Sequence, residues 1–274
     1  MQTIAILGPE GTFSDKAATE YFKDTTQEMK RIYFPTIDKA FHSVGSTCDY
    51  GIIPIENTLD GYVQRTLDLL LEMDINIVKE ITVPVKFAFI GNVNNLSEVT
   101  RLYVQFKANG QCRDFIETLH DIEIITTESN TESFLKLESN IRGEAAIVPY
   151  HLAEAETNKY LIHNVTDSDN NFTRFIVIRS SNNIKTDTNS NRIKIPFFIM
   201  PLEDRPGMLF EILRGFGEKK INLVSIMSRP TKKEMGTYNF YIEISESIDK
   251  LDIILNVLKD VQKKYNIKIL GIYG

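Results

Sequence analysis

Short apolar, β-branched runs alternate with amphipathic stretches over the first two thirds of the chain. "TIAIL" (3–7), "RIYF" (31–34), "YGIIPI" (50–55) and "INIVKEITV" (75–83) have the composition and length of strands. Between them, "DKAATEYF" (15–22) reads as a helix. "YVQRTLDLLLEM" (62–73) sets Val63, Leu67, Leu70 and Leu71 on one helical face, with Gln64, Arg65 and Asp68 on the other. The alternation runs on through "RLYVQF", "GQCRDFIETL", "EIITT", "TESFLKLE", "EAAIVP" and "YHLAEAE" to a further strand, "FTRFIVIRS" (172–180). Such alternation predicts an α/β fold, a mostly parallel sheet with helices on both faces.

The pattern changes at "SSNNIKTDTNSNR" (180–192), a polar stretch rich in Asn, Ser and Thr that reads as a linker and domain boundary. Beyond it the order is strand "IKIPFFIMPL", helix "PGMLFEILRGFGEK", strands "INLVSIMSR" and "TYNFYIEIS" joined by "PTKKEMG", helix "IDKLDIILNVLKDVQKKY" and strand "IKILGIY". Pro206 stands at the first turn of the first of these helices, and Lys219 and Lys220 near its end, where the macrodipole favours them. The order βαββαβ is the ferredoxin-like arrangement.

Composition narrows the function classes. The 274 residues are enough for two domains, and 42% hydrophobic with 25% charged residues is ordinary for a globular protein. A net charge of −6 without a basic stripe points away from nucleic acid. Two cysteines, Cys48 and Cys112, make no disulfide framework and suit small core positions in a reducing compartment. His42, His120, His151 and His163 form no metal-ligand pattern and read as surface or capping residues. "MQTIAIL" lacks the features of a signal peptide, and no run approaches the length of a membrane span, so a cytoplasmic protein without a membrane partner is expected.

Three polar stretches lie at strand ends, where open α/β sheets bind ligands. In "GPEGTFS" (8–14), Gly8 and Gly11 permit close backbone approach, and Thr12 or Ser14 can cap a helix or bond an anion at its N-terminus. The lysine of a P-loop is absent. In "IIPIENTLDG" (52–61), Pro54, Glu56, Asn57, Thr58 and Gly61 form a polar loop entering a helix. Thr58 or Asp60 serves there as N-cap, or the carboxylate and amide meet a ligand. In "NNFTRFIVI" (170–178), Thr173 and Arg174 stand between Phe172 and Phe175. Arg can grip a carboxylate through two parallel hydrogen bonds, and a hydroxyl between aromatic rings is held dry. An exposed strand start is the plainer reading.

In this order, these stretches resemble the prephenate dehydratase family, which carries G-P-x-G-T-F-S, then P-I-E-N-[ST]-x-x-G, then T-R-F shortly before a C-terminal ACT domain. "AAIVPYHLAEAE" resembles the family segment before T-R-F. The resemblance implies a two-lobed catalytic domain like a periplasmic binding protein over residues 1–181. One lobe would take roughly 1–80 plus 165–181 and the other 81–164, with a ferredoxin-like ACT domain over 192–274. It implies conversion of prephenate to phenylpyruvate, carbon dioxide and water, with no cofactor or metal. Thr173 takes the family's catalytic position beside the leaving hydroxyl. Thr12, Ser14, Glu56, Asn57, Thr58, Arg174 and Phe175 are the candidate substrate residues: Arg174 anchors a carboxylate, Thr12 and Ser14 form a second anchor, and Phe172 or Phe175 excludes water. Glu56, which would repel a dianion, pairs with a cation or orients its loop. The chain departs from the family at S-H-P-Q, where it has "VQFK": Gln105 replaces the histidine and Lys107 the glutamine.

The ACT resemblance implies phenylalanine as a feedback effector bound between subunits. Its motifs fall on Gly207, Met208 and Leu209, on Asn222 and Leu223, and on Ser228 and Arg229, with Met227 in place of the family's glutamate. A homodimer, or a tetramer of two dimers, is expected. No mutase segment precedes the dehydratase motifs, so one activity is expected. The alternatives are an arogenate dehydratase, which acts on the amino-acid analogue, and a non-catalytic metabolite sensor.

Overall fold

The computed structural model describes residues 2–23, 29–154, 156, 158–180, 186–187, 190–201 and 205–274. Three sheets organise them. In the first, Met29–Phe34, Gln2–Leu7, Tyr50–Asn57, Phe172–Ser180 and Ile75–Pro84 are neighbours in that order, and the short strand Gly61–Tyr62 pairs back on Tyr50–Asn57. Gln2–Leu7 runs parallel to both of its neighbours. In the second, the order is Tyr160–Ile162, Phe87–Gly91, Glu144–Pro149, Arg101–Gln105, Glu123–Thr127. Arg101–Gln105 has parallel partners on both sides, and Phe87–Gly91 is antiparallel to Glu144–Pro149.

Burial explains the near-continuous apolar runs. Ile4, Ala5, Ile6, Ile52 and Ile53 are all fully buried, as expected for strands covered on both faces. In the second sheet, Phe87, Phe89, Leu102, Val104 and Ile147 enter one core, while Ala88, Ile90, Tyr103, Ala146 and Val148 enter the other. Each large side chain so buried contributes about 1.5–3 kcal/mol. Cys48 and Cys112 are both buried, and burial, aided by Asp167, pushes the Cys112 thiol above its usual range.

The third sheet is ferredoxin-like. Its strands Leu223–Pro230, Tyr238–Ser247, Arg192–Met200 and Asn266–Ile269 are neighbours in that order and antiparallel. Helices Met208–Glu218 and Leu251–Gln262 supply Met208, Ile212, Phe216, Ile254, Val257 and Leu258 to the core beneath it. Pro206 precedes the first of these helices, and Gly207 caps it in the left-handed region at φ 79°. Within the polar stretch 180–192, residues 181–185 and 188–189 lie outside the described residues, while Thr186–Asp187 pairs with Ile272–Tyr273. Leu202, which ends one predicted strand, and Ala155, within the predicted helix 150–156, also lie outside the described residues; the helix begun at Tyr150 is described over Tyr150–Ala153.

Packing divides the chain into two units, Met1–Val63 with Ile81–Phe175, and Gln64–Glu80 with Ile176–Gly274. The helix Gln64–Glu72 thus groups with the C-terminal sheet.

Two local expectations are corrected. The helix expected over 110–119 is two short helices, Phe106–Gln111 and Arg113–Ile116. Cys112 leaves helical backbone between them, and the Asp167 carboxylate accepts from Arg113 N at 2.8 Å and Asp114 N at 3.1 Å. Neither Thr58 nor Asp60 caps a helix. The chain first turns back as Gly61–Tyr62, and the helix begins at Gln64. On that helix Leu69 is buried, and Asp68, on the face opposite Leu67 and Leu70, is enclosed. Arg229 Nη2 lies 2.6 Å from Asp68 Oδ1 and Lys232 Nζ 2.7 Å from Oδ2, with the Arg229 and Asp68 side chains only 10% and 13% exposed.

Burial alone would raise the Asp68 carboxyl, but hydrogen bonds from Lys232 and Arg229 outweigh it and hold it below the usual carboxylate range. A depressed folded value means stability that is present above the unfolded value of about 3.9 and is lost as pH falls through the folded one. Asp68→Asn leaves Arg229 without a counter-ion in a nearly closed place, and is expected to lower unfolding free energy by about 2–4 kcal/mol in denaturant titrations at pH 7. A loss below about 0.5 kcal/mol would show that the pair contributes nothing.

Candidate active site

Thr173 opens the strand Phe172–Ser180, and Asn57 closes Tyr50–Asn57. The Asn57 side chain joins them. Its Nδ2 lies 2.9 Å from Asn171 Oδ1, 3.1 Å from Phe172 O and 3.0 Å from Thr173 Oγ1. The amide cannot be turned over, because its Oδ1 accepts from Leu59 N at 2.9 Å and Asp60 N at 3.1 Å. This Asx turn fixes which end faces Thr173. Thr173 Oγ1 therefore accepts from Asn57, and its own proton is left to donate elsewhere. Asn171, 1% exposed, extends the network by donating to Gln111 Oε1 at 3.0 Å.

A cleft of about 520 Å³ opens on this network. Thr12, Phe13, Asn57, Tyr62, Phe87, Gln111 and Thr173 are among its lining residues. Phe13 meets Phe87 edge to face, with centroids 5.6 Å apart and planes at 87°, giving the cleft a dry aromatic wall. A cavity of about 610 Å³ in the second unit is larger, but Met200, Tyr238 and Phe240 line it and none of the strand-end motifs reaches it. Among the described residues, no group of three or more His, Cys, Asp or Glu is arranged to hold a metal, and no helix is long and apolar enough to cross a membrane.

Other predicted residues stand elsewhere. Glu56 is paired: its Oε2 lies 2.9 Å from Arg174 Nη2 and accepts from Arg174 Nε at 3.1 Å. Arg174 also donates to Tyr62 Oη at 3.0 Å, so its charge is engaged by Glu56 and it bears on the cleft through Tyr62, rather than standing open to grip a carboxylate. Thr58 Oγ1 donates to Asn170 O at 2.7 Å and accepts from Phe172 N at 2.9 Å, stitching the Asn57 turn to the strand that carries Thr173. Ser14 and Phe175 are buried at 5% and 2% exposure and line no part of the cleft; the aromatic wall is Phe13 and Phe87 instead. Pro54, Glu56 and Asn57 belong to a strand, not to a loop.

The opening motif is held by packing. Thr12 Oγ1 donates to Leu7 O at 3.1 Å and accepts from Asp15 N at 3.4 Å, capping the helix Phe13–Lys23. Asp15 accepts from Gly11 N at 3.0 Å, from Arg31 at 2.5 Å and from Tyr33 Oη at 2.7 Å. Burial and the neighbouring Asp15 push the Tyr33 hydroxyl up to about 12. Gly11 has φ +82°, and a Cβ there would come 2.8 Å from Leu152 Cδ2, so this glycine serves approach to Leu152 and not to a ligand. Sequence reasoning also missed His151, which is half-buried. Its Nε2 lies 3.0 Å from Gly11 O, and its ring meets Phe13 with centroids 5.7 Å apart. Gln105 caps the helix Phe106–Gln111, and Lys107 Nζ is paired with Asp60 Oδ2 at 2.7 Å.

In the C-terminal sheet the predicted effector residues are divided between its two ends, with Ser228 and Arg229 at the same end as Gly207 and Met208. Leu223 is opposite Ile244, while Pro230 is opposite Tyr238 and Ile199 opposite Phe240. Asn222 and Leu223 therefore lie at one end of the sheet, and Gly207 and Met208, which follow Met200, at the other. Met208 and Leu209 pack into the core, Ser228 is exposed, and Arg229 is buried against Asp68.

A family model described as "Prephenate dehydratase" matches residues 4–183, and one described as "ACT domain" matches residues 202–261. The prephenate dehydratase of Methanocaldococcus jannaschii is 35% identical over 253 residues, covering 92% of this chain and 91% of that protein. Among solved structures, the prephenate dehydratase from Staphylococcus aureus subsp. aureus Mu50 is similar with a TM-score of 0.83 at 28% identity, over 100% of both chains. The prephenate dehydratase in complex with L-Phe from Arthrobacter aurescens is similar with a TM-score of 0.84 at 26% identity, over 99% of this chain and 90% of that one.

Burial lowers the His151 imidazole below its usual value, and the bond to Gly11 O offsets this only in part. Here the unfolded chain binds the proton more readily, so stability is complete above the unfolded value of about 6.5 and falls as pH drops through the folded value. The unfolding free energy is expected to fall below pH 6.5 more steeply in the wild type than in His151→Gln. Parallel curves for the two proteins between pH 5 and 7 would contradict this.

Proposed function

The chain belongs to the prephenate dehydratase family and carries a C-terminal ACT domain, and from that premise we propose that Thr173, aimed by Asn57, is the hydrogen-bond donor that eases departure of the substrate's ring oxygen. The reaction is a decarboxylating carbon–oxygen lyase step. The bond from the ring to its carboxylate carbon breaks, and carbon dioxide leaves. The freed electron pair enters the ring, aromatises it and expels the ring hydroxyl as hydroxide. One proton from solvent completes water, so the dianion becomes the phenylpyruvate anion, carbon dioxide and water.

Aromatisation supplies the driving force, and hydroxide is the difficulty. A threonine hydroxyl is too weak an acid to protonate it outright, but an oriented O–H stabilises the negative charge as the bond stretches. The observation that carries this reading is the 3.0 Å bond from Asn57 Nδ2 to Thr173 Oγ1, which occupies the oxygen as acceptor and leaves its proton for the substrate. The Phe13–Phe87 wall suits the ring, and holding it against Thr173 supplies further rate by orientation. The first-turn N–H groups of Phe13–Lys23, beside Thr12, are the proposed seat of one carboxylate. Glu56, Arg174 and Thr58 position Tyr62 and the Asn57 turn, and do not hold substrate.

Phenylalanine is the proposed effector, supported by the ACT match and by the L-Phe complex of the similar Arthrobacter aurescens protein. Gly207 and Asn222 lie at opposite ends of one sheet, so an effector that touches both must sit between two chains; this favours a homodimer or a dimer of dimers.

In an assay of phenylpyruvate formation from prephenate, Thr173→Val is expected to lower kcat about 10²–10³-fold, with Thr173→Ser retaining much of the rate. L-phenylalanine is expected to suppress wild-type turnover and raise its melting temperature. Near-normal kcat in Thr173→Val removes Thr173 from the mechanism, and unchanged turnover and melting with phenylalanine remove the feedback reading.

A further inference from the structure

Lys107 is the one cation among the described residues that line the cleft, and the other charged side chains there, Asp60 and Glu128, are acidic. Lys107 Nζ lies 2.7 Å from Asp60 Oδ2. The two residues come from different walls. Asp60 follows the strand Tyr50–Asn57, and its N–H is held by Asn57 Oδ1 at 3.1 Å. Lys107 is in the first turn of Phe106–Gln111, and its N–H is held by Gln105 Oε1 at 2.8 Å. Their backbones are thus fixed, one of them by the same amide that aims Thr173.

Their side chains are not closed in. Lys107 is 67% and Asp60 47% exposed. An ion pair this wet adds little to stability and exchanges readily for another counter-ion. A dianionic substrate entering the cleft meets two carboxylates and a single ammonium. Lys107 is the lining side chain able to offer it a full positive charge, and a carboxylate that takes that charge competes with Asp60 for it. A released Asp60 then lies beside whatever group neighbours the bound carboxylate. A keto oxygen has no proton to donate to it, whereas an ammonium pairs with it.

On the premise that the cleft takes prephenate, we propose that Asp60 and Lys107 form a specificity switch at the cleft: Lys107 exchanges Asp60 for the substrate's side-chain carboxylate, and the freed Asp60 admits the amino-acid analogue, arogenate, beside the keto acid. Lys107 acts on both substrates alike, and Asp60 sets their ratio. Like-charge contact with Asp60 is a means of discriminating against the keto acid, and its removal tilts the cleft toward prephenate.

Lys107→Met and Asp60→Asn, both at exposed positions, are assayed against the wild type with prephenate and arogenate. Lys107→Met is expected to lower kcat/KM for prephenate about tenfold, mainly through KM. Asp60→Asn is expected to raise the prephenate-to-arogenate ratio of kcat/KM about tenfold; inhibition constants replace kcat/KM for a compound that binds without turnover. A change below threefold in either measurement overturns the proposal, as does arogenate that neither reacts nor competes. Calorimetric titration of the full chain with phenylpyruvate separates this test from the premise. If wild-type protein consumes no prephenate, the functional reading falls, and the switch is judged on binding: affinity at least threefold weaker in Lys107→Met sustains the role of Lys107, and equal affinity overturns it.

Discussion

One primary amide orders the polar network at the cleft on which the proposed chemistry rests. Asn57 takes two backbone N–H groups on its oxygen and divides its two N–H donors among Thr173, Asn171 and the carbonyl of Phe172, one donor being shared. Every polar atom of the group is engaged, which is what makes its orientation unique; a half-satisfied amide in the same place would rotate. The consequence is a threonine whose oxygen already accepts a bond and whose proton has no competing backbone acceptor in that network. Placing such a donor before the substrate arrives avoids reorganisation at the moment of bond breaking.

The surrounding residues make sense as support for that amide. Thr58 ties the turn after Asn57 to Asn170 and Phe172, Asn171 links it to Gln111, and the Glu56–Arg174 pair fixes Tyr62 on the neighbouring short strand. The glycine-rich opening motif obeys the same logic. Its left-handed Gly11 and the Asp15 cluster shape the helix start below Phe13 through packing and internal hydrogen bonds. The C-terminal half depends on another buried contact, Asp68 with Arg229, which joins a helix from early in the sequence to the strand carrying the effector motif.

Much of this was legible in the residues themselves. Strand and helix alternation and the βαββαβ order follow from local periodicity, and the three polar stretches lie at strand ends as the apolar runs require. Asn57 and Thr173 stood out only because their local motifs resemble a family pattern, and the bond between them is a property of the fold. Partners distant in sequence were not. Arg174 looks like a free carboxylate anchor until folding brings Glu56 to it across 118 positions, and Asp68 is only a polar-face residue until Arg229 meets it across 161. The break at Cys112 has the same origin, since the capping carboxylate of Asp167 comes from far along the chain. His151 carried no signal, because only the fold sets Leu152 and the imidazole against Gly11.

The claim that Asn57 works by aiming Thr173 is tested most directly by a double-mutant cycle on turnover, with Asn57→Ala, Thr173→Val and the double variant compared under identical conditions. If the amide acts through the hydroxyl, removing it matters only while the hydroxyl is present, and the double variant turns over no more slowly than Thr173→Val alone, within about threefold. Independent, multiplying losses in the double variant would contradict the account.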